Sequence, residues 1–405
     1  DIGQKDSSLF FANVYYEITQ AKNFGLSSNA FAELGSIFMV NDSFGRAVTF
    51  LEKAIEVGHK SSLGIEYQSI LVSNLVYCRI KNNVQNDSAN LNKLASGMRL
   101  RVGQHFNGLT RYGKMLYMEQ EYYYSDLLHT TNEMSGYKPW LTLLNFNNVL
   151  SLKGAVNTHH IGLLDFLKRS DNSMLHSTYS DFSDKQKVLR SLSLDSAQGY
   201  VNQVDSIEQQ LSLLYTSNRK ETTATEHSWR DIKAALKPRE LGVEIFRYVN
   251  YQNDSHRVKY VAYLVKQEWE QPKVLTLFHE DSLESAFDMK MVRQVQESRG
   301  GRTVKLSNGE RKKGLYAIFW ERLEPFLIDV ESISIAPDGL VHSIPFESLM
   351  KDSTPMQELY QIKRVTSMAS VLHNSGVFEM SSALLVGGVD YTCELGNSLN
   401  SSHDS

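Results

Sequence analysis

The sequence predicts an α + α/β protein, in which a run of helices precedes a domain that alternates strands with helices. Up to Leu214, apolar residues recur at three- and four-residue steps, the spacing of amphipathic helices. After Trp229, short runs rich in β-branched and aromatic residues alternate with helical segments, which is typical of an α/β domain. Only 7 prolines occur in 405 residues, and this scarcity favours long helices.

Length and composition limit the classes of protein to consider. A chain of 405 residues suggests two or three domains. With 42 basic and 46 acidic residues, the net charge of −4 gives no overall attraction for nucleic acid or an anionic membrane. Two cysteines form no disulfide framework, and neither a signal peptide nor an apolar run of ~18 residues is present, so we expect a cytoplasmic protein. Because the sequence begins with Asp1, we expect a fragment of a longer chain.

A helical repeat is predicted near the N-terminus, after a helix over residues 9–30. Small residues let two helices approach closely, larger apolar residues fill the gap, and residues 41–45 supply the turn. Seven residues match a ~34-residue helix–turn–helix unit and resemble the tetratricopeptide (TPR) repeat: Phe31, Leu34, Gly35, Phe38, Ala47, Leu51 and Ala54. A helical hairpin outside this family is the alternative.

Further helical units are predicted downstream, because one repeat cannot bury its own faces. A second unit begins near Tyr67, with Leu75 and Ala95 at repeat positions, and a third helical pair spans residues 106–134, with Gly113 and Tyr117 in register. The predicted domains are therefore helical repeats over 1–140, a helical linker over 141–222 and an α/β domain over 223–405. The polar stretch 216–227 marks the boundary before the last of these.

The α/β region begins with a helix at Trp229, followed by three predicted strands, 241–248, 258–265 and 274–278. A fourth strand, 333–336, leads into a Pro337-Asp338-Gly339 hairpin turn, and Pro345 is expected to start a helix. The glycine-rich segment 298–314 carries six Lys and Arg residues. No Gly-Lys-Ser/Thr follows, which excludes a P-loop, and a solvated flap is favoured over a nucleic-acid patch.

Several segments resemble the CHAT family of caspase-like cysteine peptidases. The stretch ISIAPDGLVHSIPFESL, Ile333–Leu349, resembles its strand–PDG–PFE segment. Four further segments flank it in family order: Trp229–Tyr248, Leu315–Leu327, Tyr360–Leu372 and Ala383–Tyr391. Separately, Asn147–Gly154, of the form N-x-x-L-x-x-KG, resembles a segment of the helical linker that joins TPRs to the peptidase domain in this family.

The resemblance implies a TPR–CHAT protein that is a cysteine endopeptidase when complete. Family members use a histidine, usually in a His-Gly pair, and a strand-end cysteine, both after the strand that matches Ala383–Tyr391. None of the 12 histidines here precedes a glycine, so we expect the catalytic pair after Ser405 and an inactive chain without it. The implied partners are that catalytic segment, a protein substrate and an activating protein or ligand on the TPR groove. No cofactor, metal, membrane or nucleic-acid partner is expected.

Asp390 and Tyr391 are the candidate substrate-binding residues, because caspase-like folds build substrate pockets at such strand ends; strand capping is the alternative. Cys393 lacks a preceding His-Gly pair, so a loop position within the polar tail 392–405 is favoured over a nucleophile. Cys78 lies among apolar helical residues, where a small buried side chain is expected.

Three further residues have a possible chemical role but a simpler structural one. His342 follows the predicted turn, where a solvent-facing or structural role is favoured over a general base. The pair His159-His160 has no carboxylate or cysteine cluster at metal-ligand spacing, so a surface helix is favoured. Asp338 is expected to form the turn.

Two other functions remain open at this point. One is a non-catalytic TPR scaffold with a degenerate peptidase fold. The other is a subunit of a bacterial defence effector complex, for which the near-neutral charge gives no support.

Overall fold

The computed structural model of the protein describes residues 2–21, 25–60, 65–105, 109–153, 155, 166–167, 170–191, 194–218, 227–252, 256–287 and 310–372. Within these ranges the N-terminal part is helical, and no helix there combines the length and apolar character needed to cross a membrane. Its helices are α1 (Ile2–Ala21), α2 (Ser28–Val40), α3 (Phe44–Lys60), α4 (Ile65–Lys81), α5 (Ser88–His105), α6 (Arg111–Met134), α7 (Pro139–Leu152), α8 (Ser173–Ser191) and α9 (Leu194–Asn218).

Helices α2 and α3 form the expected hairpin. Ser27 caps α2, its hydroxyl accepting a hydrogen bond from the amide of Ala30 at 3.2 Å. The predicted helix over 9–30 is wrong at its end, because α1 stops at Ala21 and this cap begins a new helix. The six side chains expected inside the hairpin are all buried: Phe31, Leu34, Phe38, Ala47, Leu51 and Ala54.

Gly35 lies at the closest approach of α2 and α3. A Cβ atom built on it would lie 2.8 Å from Cγ of Leu51. Gly35→Ala is therefore expected to destabilise the protein by about 1–2 kcal/mol through overpacking, despite alanine's better helix propensity. Gly199 in α9 has no atom within 4 Å of the same construction, so Gly199→Ala is the matched control. We expect this control to be neutral or slightly stabilising in urea unfolding; equal effects of the two changes would contradict the close approach.

The following helices stack in sequence, α3 on α4 and α4 on α5, and Leu75 and Ala95 are buried as expected. The predicted helical pair over 106–134 is wrong, because residues 111–134 form the single helix α6. Thr110 caps this helix by accepting from the amide of Gly113 at 3.1 Å, which places Gly113 in the first turn instead of at a helix–helix contact. Helix α6 packs against α7.

The elements of the C-terminal part are α10 (Trp229–Ala235), β1 (Glu240–Val249), β2 (Val258–Lys266), β3 (Lys273–His279), α11 (Glu280–Phe287), α12 (Glu310–Leu323), β4 (Ser332–Ala336), β5 (Met350–Lys351), β6 (Thr354–Pro355), α13 (Met356–Leu359) and β7 (Gln361–Arg364). Five of the strands form a mixed sheet of order β3-β2-β1-β4-β7. Strands β1, β2 and β3 pair antiparallel, whereas β1, β4 and β7 run parallel. The predictions of β1, β2 and β3 are confirmed to within one residue at each end.

Helices cover both faces of the sheet. On one face, α11 and α12 pack on alternate residues of β1, such as Val243 and Ile245. On the other, α7 and α10 pack on Phe246 and Tyr248. Helix α7 also contributes Leu141 to a core shared with α4, α5 and α6, so it belongs to both cores. Helices α2 to α7 pack on one another in succession, and we call them the helical stack. The sheet is therefore the middle of three layers, joined to the helical stack through α7.

The chain after β4 differs from its prediction. Residues Gly339–Ser343 form a 3₁₀ helix in place of a hairpin return, and Phe346–Ser348 form only a second 3₁₀ turn in place of a helix. Phe346 is fully buried, 4.7 Å between ring centres from Phe319 of α12, and this contact pulls the chain into the core. Tertiary packing thus overrides the helix-start signal of Pro345.

Candidate active site at the carboxyl ends of the parallel strands

The carboxyl ends of β1, β4 and β7 lie at one edge of the sheet, the position at which open α/β sheets bind ligands. Four polar side chains gather there from different parts of the chain: Lys153, Glu244, Asp338 and Ser367. We call these four residues the strand-end cluster.

Lys153 and Glu244 form a buried ion pair in the strand-end cluster. The Lys153 Nζ lies 2.7 Å from Glu244 Oε1, and the two side chains are 7% and 0% exposed. The same ammonium donates hydrogen bonds to the backbone carbonyls of Ile245 and Ala336, at 2.7 and 2.8 Å. Burial raises the pKa of Glu244, and the lysine opposes this rise. A buried charge is tolerated here because oxygen acceptors surround it.

Ser367 and the residues after β7 are tied to the same carboxylate. Glu244 Oε2 accepts hydrogen bonds from the Met368 amide at 2.5 Å and from the Ser367 hydroxyl at 3.0 Å. These two donors begin the 3₁₀ helix Met368–Leu372. The loop that leaves β7 is therefore fixed to the middle of β1.

Asp338 forms a turn, as expected, and also binds the neighbouring strand. Its carboxylate accepts from the amides of Gly339 and Arg247, both at 2.9 Å. The Arg247 guanidinium forms a bidentate ion pair with Glu280 at 2.6 and 2.9 Å, and Tyr260 donates to Glu280 at 2.6 Å. The loop after β4 thus rests on a fixed polar surface.

Gly339 has φ +50°, and a Cβ atom there would lie 2.6 Å from both Arg247 Cδ and Tyr260 Oη. Gly339→Ala is expected to destabilise the protein by about 2 kcal/mol, through left-handed strain and overpacking together. Gly136 also has a positive φ, +68°, but a Cβ atom built on it would have no atom within 4 Å. The control Gly136→Ala therefore measures the backbone strain without the overpacking. Chemical unfolding of both variants measures the difference; an equal loss would show that the turn does not press on Arg247.

The N-x-x-L-x-x-KG segment, Asn147–Gly154, supplies part of this arrangement. Asn147 Oδ1 accepts from the Trp229 amide at 2.9 Å and so holds the start of α10. Leu150 is buried in the core against the sheet, and Lys153 reaches the strand ends. The three motif residues therefore attach the linker helix to the α/β layer.

Helix α6 places three polar side chains against the carboxyl-terminal half of β1 and the residue that follows it. Asp126 accepts a backbone hydrogen bond from Val249, and burial raises the pKa of Asp126 well above its ordinary value. Glu133 accepts from Tyr248 at 2.8 Å and from Asn250 at 2.5 Å. His129 stacks on Phe246, another β1 residue, with ring centres 4.5 Å apart. The helical stack and the sheet are thus bonded together near the strand ends.

Sequence reasoning missed the Lys153–Glu244 pair. Lys153 belongs to the N-x-x-L-x-x-KG segment, and Glu244 lies between Val243 and Ile245 in a strand of mostly apolar residues. A carboxylate buried in a strand needs a cation or hydrogen-bond donors, so its position in the sequence indicates that a buried polar partner exists. Its partner lies 91 positions earlier in the chain, and nothing in one sequence identifies a contact at that distance.

Among the sequence candidates, Cys78 is fully buried in α4, and burial raises the pKa of its thiol to about 12. A thiol of this kind is not a ready nucleophile. His342 is exposed beside the strand-end cluster; partial burial lowers the pKa of its imidazole, and its carbonyl accepts from Arg364.

The remaining sequence candidates lie outside the described residues: Asp390, Tyr391, Cys393 and the pair His159-His160. Within the described ranges, no three His, Cys, Asp or Glu side chains are grouped to hold a metal ion. The geometry of the described ranges provides ion pairs and turn-forming contacts that fix loops.

Comparison with protein-family models gives no match to this chain. Comparison with proteins of curated function gives none either.

Proposed function

We propose that the chain joins a TPR-type sensor module to the N-terminal part of a CHAT caspase-like cysteine endopeptidase domain. The observation that carries the proposal is the parallel register of β1, β4 and β7, which places the loops after β4 and β7 together at one sheet edge. The Pro337-Asp338-Gly339 turn that motivated the resemblance lies at this edge and is held by hydrogen bonds.

The proposed chemistry is attack of a thiolate on a peptide carbonyl, with a histidine as base and backbone amides stabilising the oxyanion. Cys78 is unsuited to the role because its thiol is buried and its pKa is raised. The resemblance implies that both groups follow the strand that matches Ala383–Tyr391, so the proposal places the histidine and cysteine on a segment after Ser405. The strand-end cluster would then hold the loops against which that segment packs.

The helical stack is proposed to bind an activating protein or ligand and to act on the peptidase domain through α6 and α7. A scaffold function is the second candidate, favoured by exposed apolar side chains on α1. Phe10 and Phe11 are 61% and 67% exposed, and Tyr15 and Ile18 are each 48% exposed. A surface of this kind suits a protein partner.

Turnover of a peptide library tests the proposal. Residues 1–405 alone are expected to cleave nothing, whereas a chain extended through the downstream His-Gly and strand-end cysteine is expected to cleave, with its activator bound. Alanine at the downstream cysteine should abolish turnover, and Cys78→Ala and Cys393→Ala should leave it unchanged. Loss of turnover in a folded Cys393→Ala protein would move the nucleophile into the present chain. An extended chain that never cleaves would favour the scaffold.

A further inference from the structure

Lys153 lies at the point where β1 and β4 separate. The last residue pair of their parallel register is Glu244 with Ala336, after which β4 leaves the sheet. Nζ of Lys153 donates to the carbonyls of Ala336 on β4 and of Ile245 on β1, at 2.8 and 2.7 Å. The ammonium thus bonds the two strands together at the position where their own ladder ends.

Glu244 extends this connection to the third parallel strand. One oxygen of its carboxylate is 2.7 Å from Lys153 Nζ, and the other accepts from the Met368 amide and the Ser367 hydroxyl. The Met368 side chain packs over Gly242 of β1, where a Cβ atom would lie 2.7 Å from its Cε. The loop after β7 therefore has two fixed contacts with β1, and one of them is the carboxylate that Lys153 neutralises.

The position of Lys153 is set by α7, because it is the residue that ends this helix. Leu141 and Leu152 of α7 pack in the core of the helical stack, while Val149 and Leu150 pack against the sheet. Movement of the helical stack against the sheet would therefore move the ammonium relative to the strand ends.

We propose that Lys153 is a positioning residue that fixes the loops 337–343 and 365–372 relative to each other. Its ammonium holds the first loop through Ala336 and the second through Glu244. The loops are the ones that our proposed function places at the active site, so any effect on catalysis rests on that proposal. The positioning itself needs no turnover to be tested.

Amide hydrogen exchange of residues 1–405 tests the inference in the double variant Lys153→Met/Glu244→Gln. The introduced amide oxygen still accepts from Met368 and Ser367, and no charge is left unpaired, so the variant is expected to fold. The carbonyls of Ala336 and Ile245 lose their donor. Exchange in residues 338–343 and 366–372 is expected to rise about tenfold or more, while the centre of β2 keeps its protection. Lys237→Met, at an exposed lysine before β1, is the control and should change neither loop.

Two results would overturn the inference. One is unchanged exchange in both loops of the folded double variant. The other is an equal rise across β1, β2 and α12, which would mean general destabilisation. The single variant Lys153→Met, which leaves Glu244 without its cation, should show the same loop opening if it folds. In an extended chain that cleaves peptides, the double variant should lower kcat more than it changes KM. If the extended chain never cleaves, the proposed function fails while the exchange result still stands.

Discussion

Arg101→Leu is expected to lower the free energy of unfolding by about 3–5 kcal/mol, because it leaves the Glu121 carboxylate buried without a cation. The guanidinium of Arg101 in α5 donates two parallel hydrogen bonds to Glu121 in α6, at 2.9 and 2.7 Å. The two side chains are 4% and 0% exposed. Arg101 also donates to Ser69 of α4 and lies 4.8 Å from the ring centre of Tyr124. These contacts therefore join α4, α5 and α6. Urea unfolding of the variant measures the decrease in the free energy of unfolding.

The double variant Arg101→Leu/Glu121→Leu separates the missing cation from the missing contacts. It buries no charge, so its stability is expected to lie within about 1 kcal/mol of the original protein. Lys187→Met removes a cation from an exposed pair with Asp184, whose side chains are 72% and 66% exposed, and should change stability by less than about 0.5 kcal/mol. A single Arg101→Leu variant as stable as this control would contradict the buried pair.

Acidification is expected to destabilise the protein through His129. Burial lowers the pKa of His129 from 6.5 to about 4. Its Nδ1 donates to the Ser125 carbonyl at 2.7 Å, and its Nε2 accepts from the Tyr263 hydroxyl at 2.9 Å. Between the two pKa values, His129 is protonated in the unfolded chain but neutral in the folded chain, so the free energy of unfolding falls as pH falls. The loss is about 3 kcal/mol in total, and about 2 kcal/mol of it falls between about pH 7 and about pH 5.

The variant His129→Gln isolates this effect, because it keeps polar groups at the site but does not titrate. The original protein has to be compared with this variant because Asp126 and Glu244 also change stability with pH, since burial raises their pKa values. For each of these carboxyls the stability that comes from the raised pKa is fully present below the unfolded pKa and is lost as pH rises through the folded pKa, which is opposite to the histidine. Urea unfolding of both proteins at the two pH values gives the difference. An equal pH dependence in the two proteins would show that His129 is not buried in its neutral form.

Local signals in the sequence were enough to predict much of the sheet and one helical hairpin. β-branched and aromatic runs gave β1, β2 and β3, and the spacing of small and large residues identified Gly35 as the contact between α2 and α3. Both signals work because the relevant physics is local: strand propensity in one case, helix–helix approach within a short hairpin in the other.

The strand-end cluster was beyond such reasoning because long-range packing creates it. The Lys153 ammonium and the Ile245 carbonyl are 92 positions apart, and only the fold brings them within 2.7 Å. The helix predicted to start at Pro345 is wrong for a related reason. Proline at this position is a valid local signal, but burial of Phe346 in the core holds the chain in a short 3₁₀ turn. Asp390 and Tyr391 lie outside the described residues, so their predicted role in a substrate pocket stays a prediction.

Helix α7 limits how this protein can be divided or recombined. Phe146, Val149 and Leu150 complete the layer on one face of the sheet, and Lys153 supplies the cation for Glu244. A sheet region separated at residue 223 would expose that face and bury a carboxylate with no counterion. Replacement of the N-terminal helices by another helical domain would therefore have to preserve residues 139–153 with the sheet. The suitable fusion point for such a replacement lies before α7, within the helical stack. It does not lie at the polar stretch 216–227, which separates the helical region from the α/β region in the sequence.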